Sequence, residues 1–285
     1  MPSIESVVVA VDESAGSAVA WAARTAALHH RPLHLLHVLE LTPDLGLGLG
    51  TALTEDDYAL FEASGQSLLD AAEQVAAKAG GVEITTELVH GAVAPTLIDR
   101  SHQAFLLVGG ARGLGTLRRA LLGSVSAVLA RRSHCPLAIV RDGVDAPPDL
   151  HTRPVLVGVD GTAVSEPAVR VAFEEASARG VDLIALHAWS GSDGSESDDP
   201  EMDALDDYVL AESLAGWQER YPNVRIQREV AHERPERSLL EWSRGAQLLV
   251  VGTRGRGGFA SRVFGSTSQS LLLSVDSPIM IVGNA

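Results

Sequence analysis

Short apolar runs alternate along this chain with longer stretches in which apolar positions recur every three or four residues. The runs at 7–11, 33–38, 83–89, 105–108 and 137–140 read as strands. Those at 155–159, 183–188, 225–230, 248–251 and 279–282 repeat the series. Runs such as VVVAV and LLVV do not alternate with polar residues, which suits strands covered on both faces. VRIQREV, the third strand of the second series, does alternate and is expected near a sheet edge. Between the runs lie helical stretches such as SAVAWAARTAALHH and SGQSLLDAAEQVAAKAGG, the second stopped by Gly80-Gly81. Strand–helix alternation of this kind predicts an α/β fold with a parallel, doubly wound sheet.

The pattern is written twice. SVVVAVDESAGSAVAWAA matches RPVLVGVDGTAVSEPAVRVAF, LHLLHVLE matches LIALHAWS, AFLLVGGARGLG matches QLLVVGTRGRGG, and SHCPLAIVRD matches VDSPIMIVGN, all in the same order. A repeat of about 140 residues is far longer than a solenoid unit and marks a duplicated domain. The stretch RDGVDAPPDLHTRP carries Pro and Asp but no apolar period, so it reads as a linker. The expected organisation is a first domain over 1–143, a linker over 144–153 and a second domain over 154–285.

Composition narrows the partners. A net charge of −15 argues against nucleic acid, whose backbone needs a basic surface. No run approaches the length of a membrane span and the N-terminus lacks a signal pattern, so the cytoplasm is the expected compartment. Cys135, before Pro136, is the single cysteine, which excludes an intrachain disulfide and reads as a packed thiol. Lys78 is the single lysine, so any phosphate chemistry must use arginine, hydroxyls or backbone amides. The segment 190–207 holds eight acidic residues and is expected to be a solvated loop leading into a helix.

Candidate chemistry lies where two strands end in glycine. Gly110 and Gly113 are followed, after nine residues, by Gly123-Ser124; Gly252 and Gly255 are followed, after nine, by Gly265-Ser266. Glycine after a parallel strand can take a positive φ and lets a ligand approach the backbone. In an open α/β sheet that position is the carboxyl end of a strand, where ligands bind. Amides there and at the following helix N-terminus favour an anion, and Ser124, Ser126, Ser266 and Ser268 add hydroxyl donors. The design suits a polyphosphate. It is neither a Walker loop nor the dinucleotide fingerprint. The first strand of each unit ends instead in Asp12 or Asp160, suited to a ribose hydroxyl, to helping hold a metal, or to capping the next helix.

With these motifs the chain resembles the universal stress protein family, in the tandem two-domain form and with the G-x2-G-x9-G-S motif of its ATP-binding subgroup. The resemblance covers both units almost end to end. It implies Rossmann-like domains with strand order 3-2-1-4-5, and pairing of domains or subunits through the fifth strands, with a homodimer formed along those edges. It implies ATP as the ligand, with magnesium carried alongside it near Asp12 and Asp160. In the first unit Gly110, Gly113, Gly123, Ser124, Val125 and Ser126 would hold phosphates, and in the second Gly252, Gly255, Gly265, Ser266, Thr267 and Ser268. Ala10 and Gly158 would leave room for the ligand, Val38 and Ala188 would read adenine through the backbone, and Arg112 and Arg254 could neutralise phosphate. His37 and His187 end apolar strands and read as packed, hydrogen-bonded residues rather than catalysts. The interval from aspartate to histidine is two residues shorter in the first unit, which makes the second the safer site. The implied role is a nucleotide-dependent regulator of stress response, dormancy or growth, acting on an unidentified protein partner. A slow ATP hydrolase, an adenylyl-transferring enzyme, and a docking module with empty sites are the alternatives.

Overall fold

The computed structural model of the chain describes residues 5–40, 54–111, 124–141, 149–189, 200–253 and 265–283. The first half runs β1 (Ser6–Ala10), α1 (Gly16–Leu28), β2 (Leu33–Leu39), α2 (Glu55–Ala79), β3 (Ile84–His90), α3 (Val93–Ser101), β4 (Ala104–Ala111), α4 (Ser124–Arg132) and β5 (Leu137–Arg141). The second runs β6 (Val155–Val159), α5 (Glu166–Arg179), β7 (Leu183–Ala188), α6 (Pro200–Leu214), α7 (Trp217–Arg220), β8 (Ile226–Ala231), α8 (Pro235–Ser243), β9 (Leu248–Gly252), α9 (Ser266–Ser274) and β10 (Ile279–Val282).

Non-alternating runs give strands with two buried faces. In β1, Val7 and Val9 enter the core that also takes Ala18, Ala22 and Leu69 from α1 and α2. Val8 between them enters the opposite core, with Leu97 of α3 and Leu129 of α4. Both halves are therefore doubly wound. Thr54 starts α2 with a reciprocal capping box to Asp57. Its last turn approaches α1 so closely that a Cβ on Gly80 would lie 2.5 Å from the Ala23 carbonyl oxygen.

Strand order is 3-2-1-4-5 in the first half and its equivalent in the second, joined as β3-β2-β1-β4-β5-β10-β9-β6-β7-β8. β8, whose sequence alternates, lies at one edge and β3 at the other. β5 and β10 meet antiparallel, with Ile279 opposite Ile139 and Ile281 opposite Leu137. The pairing of fifth strands thus occurs within one chain. This corrects the expected homodimer along those edges: each already spends its free N–H and C=O groups on the other, leaving no ladder for a second chain.

Side chains reinforce the join. Arg141 donates to the Val275 and Leu272 carbonyls of the other half. His29 of the first half meets Glu175 of α5 at 2.9 Å, and Arg179 reaches back to Thr25 of α1 at 3.1 Å. Among the described residues no helix is long and apolar enough to cross a membrane.

Candidate functional site

In strand order 3-2-1-4-5 the sheet reverses direction of winding between β1 and β4, and equivalently between β6 and β9. At such a point the connections leave to opposite faces and open a crevice over the carboxyl ends of the strands. Asp12 and Asp160 stand at its lip. Asp12 Oδ1 accepts from the Ser14 amide at 2.9 Å and the Ser14 hydroxyl at 2.8 Å. Asp160 Oδ1 accepts from the Thr162 amide and hydroxyl, both at 2.8 Å. The helix N-caps are Ala15 and Ser165, so the capping alternative is corrected: each carboxylate holds its own turn and precedes the cap. The helices begin at Gly16 and Glu166, which puts the two-residue shortening in the turn after Asp12. The longer second turn takes Gly161 through φ 74°, a left-handed conformation with no counterpart at Glu13.

The facing wall comes from β4 and β9. A Cβ on Gly110 would lie 3.6 Å from the Ser14 carbonyl oxygen and 3.8 Å from Ala15 Cα, so β4 ends beside the turn that follows Asp12. In the second half the Gly265 amide donates to the Thr253 carbonyl at 2.9 Å and Ser268 Oγ to the Gly252 carbonyl at 2.7 Å. These bonds seat the start of α9 against the end of β9. Gly265 is its N-cap with no side-chain cap bond and no acidic residue in the first turn, so the amides of Ser266 and Thr267 begin an anion-favouring helix end. Ser266 is exposed and Thr267 half-buried, as are Val125 and Ser126 in α4. Ser124 starts α4. Arg112, Gly113, Gly123, Arg254 and Gly255 lie outside the described residues.

Three expectations change. Ser268 is buried and spends its proton on Gly252, so it braces the loop instead of offering a hydroxyl to a ligand. Gly110, Gly252 and Gly265 do not take positive φ; in Gly110 the missing side chain matters for close approach instead. The space over Gly158 belongs to packing, since a Cβ there would lie 3.2 Å from both methyls of Leu239 and 3.4 Å from Val251 Cγ1. Gly158→Val should therefore cost about 1–3 kcal/mol of stability by overpacking. Thermal denaturation checks this, and an unchanged midpoint would return the position to the ligand.

The base end of each crevice is formed by β2 or β7. Their register sets Ala10 opposite Leu36 and Val159 opposite His187, which brings Val38 level with Asp12 and Ala188 level with Asp160. His37 and His187 donate Nδ1–H to the Val11 and Val159 carbonyls, at 2.8 and 2.7 Å. They brace the residue before each aspartate, as packed histidines. Oδ1 of Asp12 and of Asp160 each already accepts two bonds within its own turn, and among the described residues no group of three possible metal ligands occurs.

Sequence reasoning missed Asp206, Trp189 and His232, which gather behind the second base end. The acidic segment was expected to be solvated, yet Asp206 is buried and accepts from Trp189 Nε1. The signal available was its position four residues before the apolar Leu210, on the inward face of α6.

The sequence profile of the universal stress protein family matches residues 3–141 and again 151–283. The chain is 43% identical over 284 residues to universal stress protein Rv2623 of Mycobacterium tuberculosis, covering 96% of this chain and 95% of that protein. It is 40% identical to Rv2005c of the same organism, covering 96% of each. Among solved structures, a universal stress protein from Archaeoglobus fulgidus superposes with a TM-score of 0.73 at 19% identity, covering 98% of both chains, a likeness of fold.

Proposed function

The chain belongs to the universal stress protein family, and from that premise we propose that each half binds an adenine nucleotide, ATP foremost, in the crevice between its first and fourth strands. The observation that carries the reading is the pairing, across the second crevice, of a turn-anchored carboxylate with an uncapped helix N-terminus. Asp160 would accept from a ribose hydroxyl, Ala188 would meet the base, and the amides of Ser266 and Thr267 would meet phosphate. Asp12, Val38, Gly110, Ser124, Val125 and Ser126 hold the equivalent positions in the first half, with Gly113, Gly123 and Arg112, and in the second Gly252, Gly255 and Arg254, completing the phosphate ends. Any magnesium would travel with the phosphates. Occupancy, and not turnover, is the signal we assign to the chain, as a regulator of stress response, dormancy or growth: His37 and His187, the imidazoles at the crevices, each commit Nδ1 to a carbonyl.

The test is to purify the chain without added nucleotide, denature it, and count released nucleotide by chromatography. About two ATP per chain are expected, and Asp160→Ala should weaken the second half about ten- to a hundredfold, the worth of one hydrogen bond to a charged group. ADP in place of ATP would favour a hydrolase. No nucleotide, together with no ATP titration signal, would sink the reading and leave a docking module.

A further inference from the structure

A second group of polar side chains in the first half takes no part in the crevices. His34 of β2 stands level with Val8, in the middle of β1, and is 3% exposed. Its ring reaches two residues of the edge strand β3. Nδ1 lies 2.9 Å from the Thr85 hydroxyl and Nε2 lies 3.0 Å from Glu87 Oε2. Glu87 Oε1 in turn accepts from the Arg100 guanidinium of α3 at 2.6 Å. A carboxylate only accepts, so Nε2 carries the proton shared with Glu87, and Nδ1 presents its lone pair to the Thr85 hydroxyl. The Leu33 carbonyl, 3.5 Å from Thr85 Oγ1, is the longer alternative for that hydroxyl proton. Burial outweighs the pull of Glu87 and holds His34 below the usual imidazole value, which favours the neutral ring this arrangement needs.

The fold does not call for this series of bonds. In the second half Ile184 stands at the position of His34, Gln227 at Thr85, Glu229 at Glu87 and Trp242 at Arg100. There Ile184 and Trp242 join the apolar core, and Gln227 donates to Glu229 at 2.7 Å. Apolar packing fills the same corner without the cost of burying an imidazole.

Thr85 is exposed although the base beneath it is not, so a carbonyl compound can reach the hydroxyl while Nδ1 stays shielded from water. The Leu33 amide donates to the Glu83 carbonyl at 2.8 Å, and this register turns the Thr85 amide towards β2 and the Thr86 amide away from it. Thr86 is exposed as well. Its N–H therefore stands on the open edge, next along the chain from the Thr85 hydroxyl, placed to donate to negative charge developing on a carbonyl oxygen.

We propose that the first half carries an esterase site in which Thr85 is the nucleophile, His34 the general base, and Glu87 and Arg100 the positioning residues. The substrates are small acyl esters, whose carbonyl can be brought to an open strand edge. Thr85 Oγ attacks the carbonyl carbon as its proton passes to His34 Nδ1. The bond from that carbon to the alcohol oxygen breaks, the alcohol leaves with the proton from Nδ1, and the acyl group stays on Thr85. Water then attacks the acyl-threonine, gives its proton to Nδ1, and releases the carboxylic acid as the proton returns to Thr85 Oγ. The site is independent of nucleotide binding and stands or falls without it.

The test uses the full chain with p-nitrophenyl acetate. Nitrophenol release is followed, and the acid-quenched protein is digested and its peptides are read by mass spectrometry. Acetyl is expected on the peptide holding Thr85. Thr85→Val, which suits an exposed strand position and removes only the hydroxyl, should abolish that acetyl, and Thr85→Ser should keep it. His34→Ile, the residue the second half carries there, should slow acylation about a hundredfold or more, the worth of a general base. Glu87→Gln should lower kcat with KM unchanged, a split that a purely structural role would not produce. No acetyl on the Thr85 peptide of wild type, or acylation as fast in His34→Ile, overturns the site. Nitrophenol release unchanged in Thr85→Val places the hydrolysis on other side chains and overturns it equally. Should His34→Ile fail to fold, the Thr85 pair decides: equal rates in the serine and valine chains overturn the proposal.

Discussion

Arg179→Ala should destabilise the chain by about 3–5 kcal/mol, the cost of breaking a buried ion pair by removing one partner. Arg179 is 9% exposed at its side chain and Glu175 3%. The guanidinium donates to Glu175 at 2.8 and 3.0 Å, to Thr25 at 3.1 Å and to Gln247 at 3.4 Å, and lies over the Trp21 ring. Its loss leaves the Glu175 carboxylate buried against His29 of the first half. Burial alone pushes the Glu175 carboxyl up, but the charges of Arg179 and His29 and their hydrogen bonds outweigh it and hold the group below the ordinary glutamate range. Because the folded group is depressed, its stabilisation is present above the unfolded value and lost as pH falls through the folded one. Wild type should therefore lose stability on acidification below the usual carboxylate range, and Arg179→Ala should lose less. A partial offset comes from Arg24, which burial and then the Arg179 charge hold below its usual value, but Arg24 is exposed and the relief is small. Urea unfolding of the two chains decides the matter. A difference under about 1 kcal/mol, the worth of an exposed pair, would mean that the cluster does not join the halves energetically.

Gly110→Val should empty the first nucleotide site while leaving the fold intact. Gly110 lies in β4 with an ordinary strand conformation, and its missing Cβ has only van der Waals neighbours, the nearest 3.6 Å away. A valine therefore suits the strand, but its branched methyls enter the gap between β4 and the turn after Asp12. Intrusion of that kind costs about 1–3 kcal/mol, or about five- to a hundredfold in affinity. Nucleotide released per chain should drop from about two to about one, while urea unfolding shows a cooperative transition lowered by no more than about 1–3 kcal/mol. Retention of both would mean that the ligand of the first half does not pass over Gly110.

Much of this was legible in the sequence because its cause is local. Runs without alternation, such as VVVAV, suit strands buried on both faces, and ten apolar runs in two matching series, of which VRIQREV alternates, give a duplicated doubly wound fold. The aspartates ending β1 and β6 and the glycines ending β4 and β9 were legible for the same reason, since chain order and winding bring those strand ends together. The roles of single residues were less legible. Ser268 and Ser266 look alike in sequence, yet one faces the Gly252 carbonyl in the interior and the other solvent. Gly158 looked like room for a ligand until Leu239, eighty-one residues later, proved to fill it.

The sequence by itself determined the elements, their order, the duplication and the two crevices, because periodicity, glycine and strand termini act through the chain's own neighbours. Only the tertiary structure decided that β5 closes on β10 within one chain, that Glu175 and Arg179 meet Thr25 and His29, and that Asp206 turns inward beneath Trp189. Those outcomes depend on which surfaces meet after the helices pack. An acidic residue in an acidic segment carries no mark of burial until two histidines and an indole from distant strands arrive beside it.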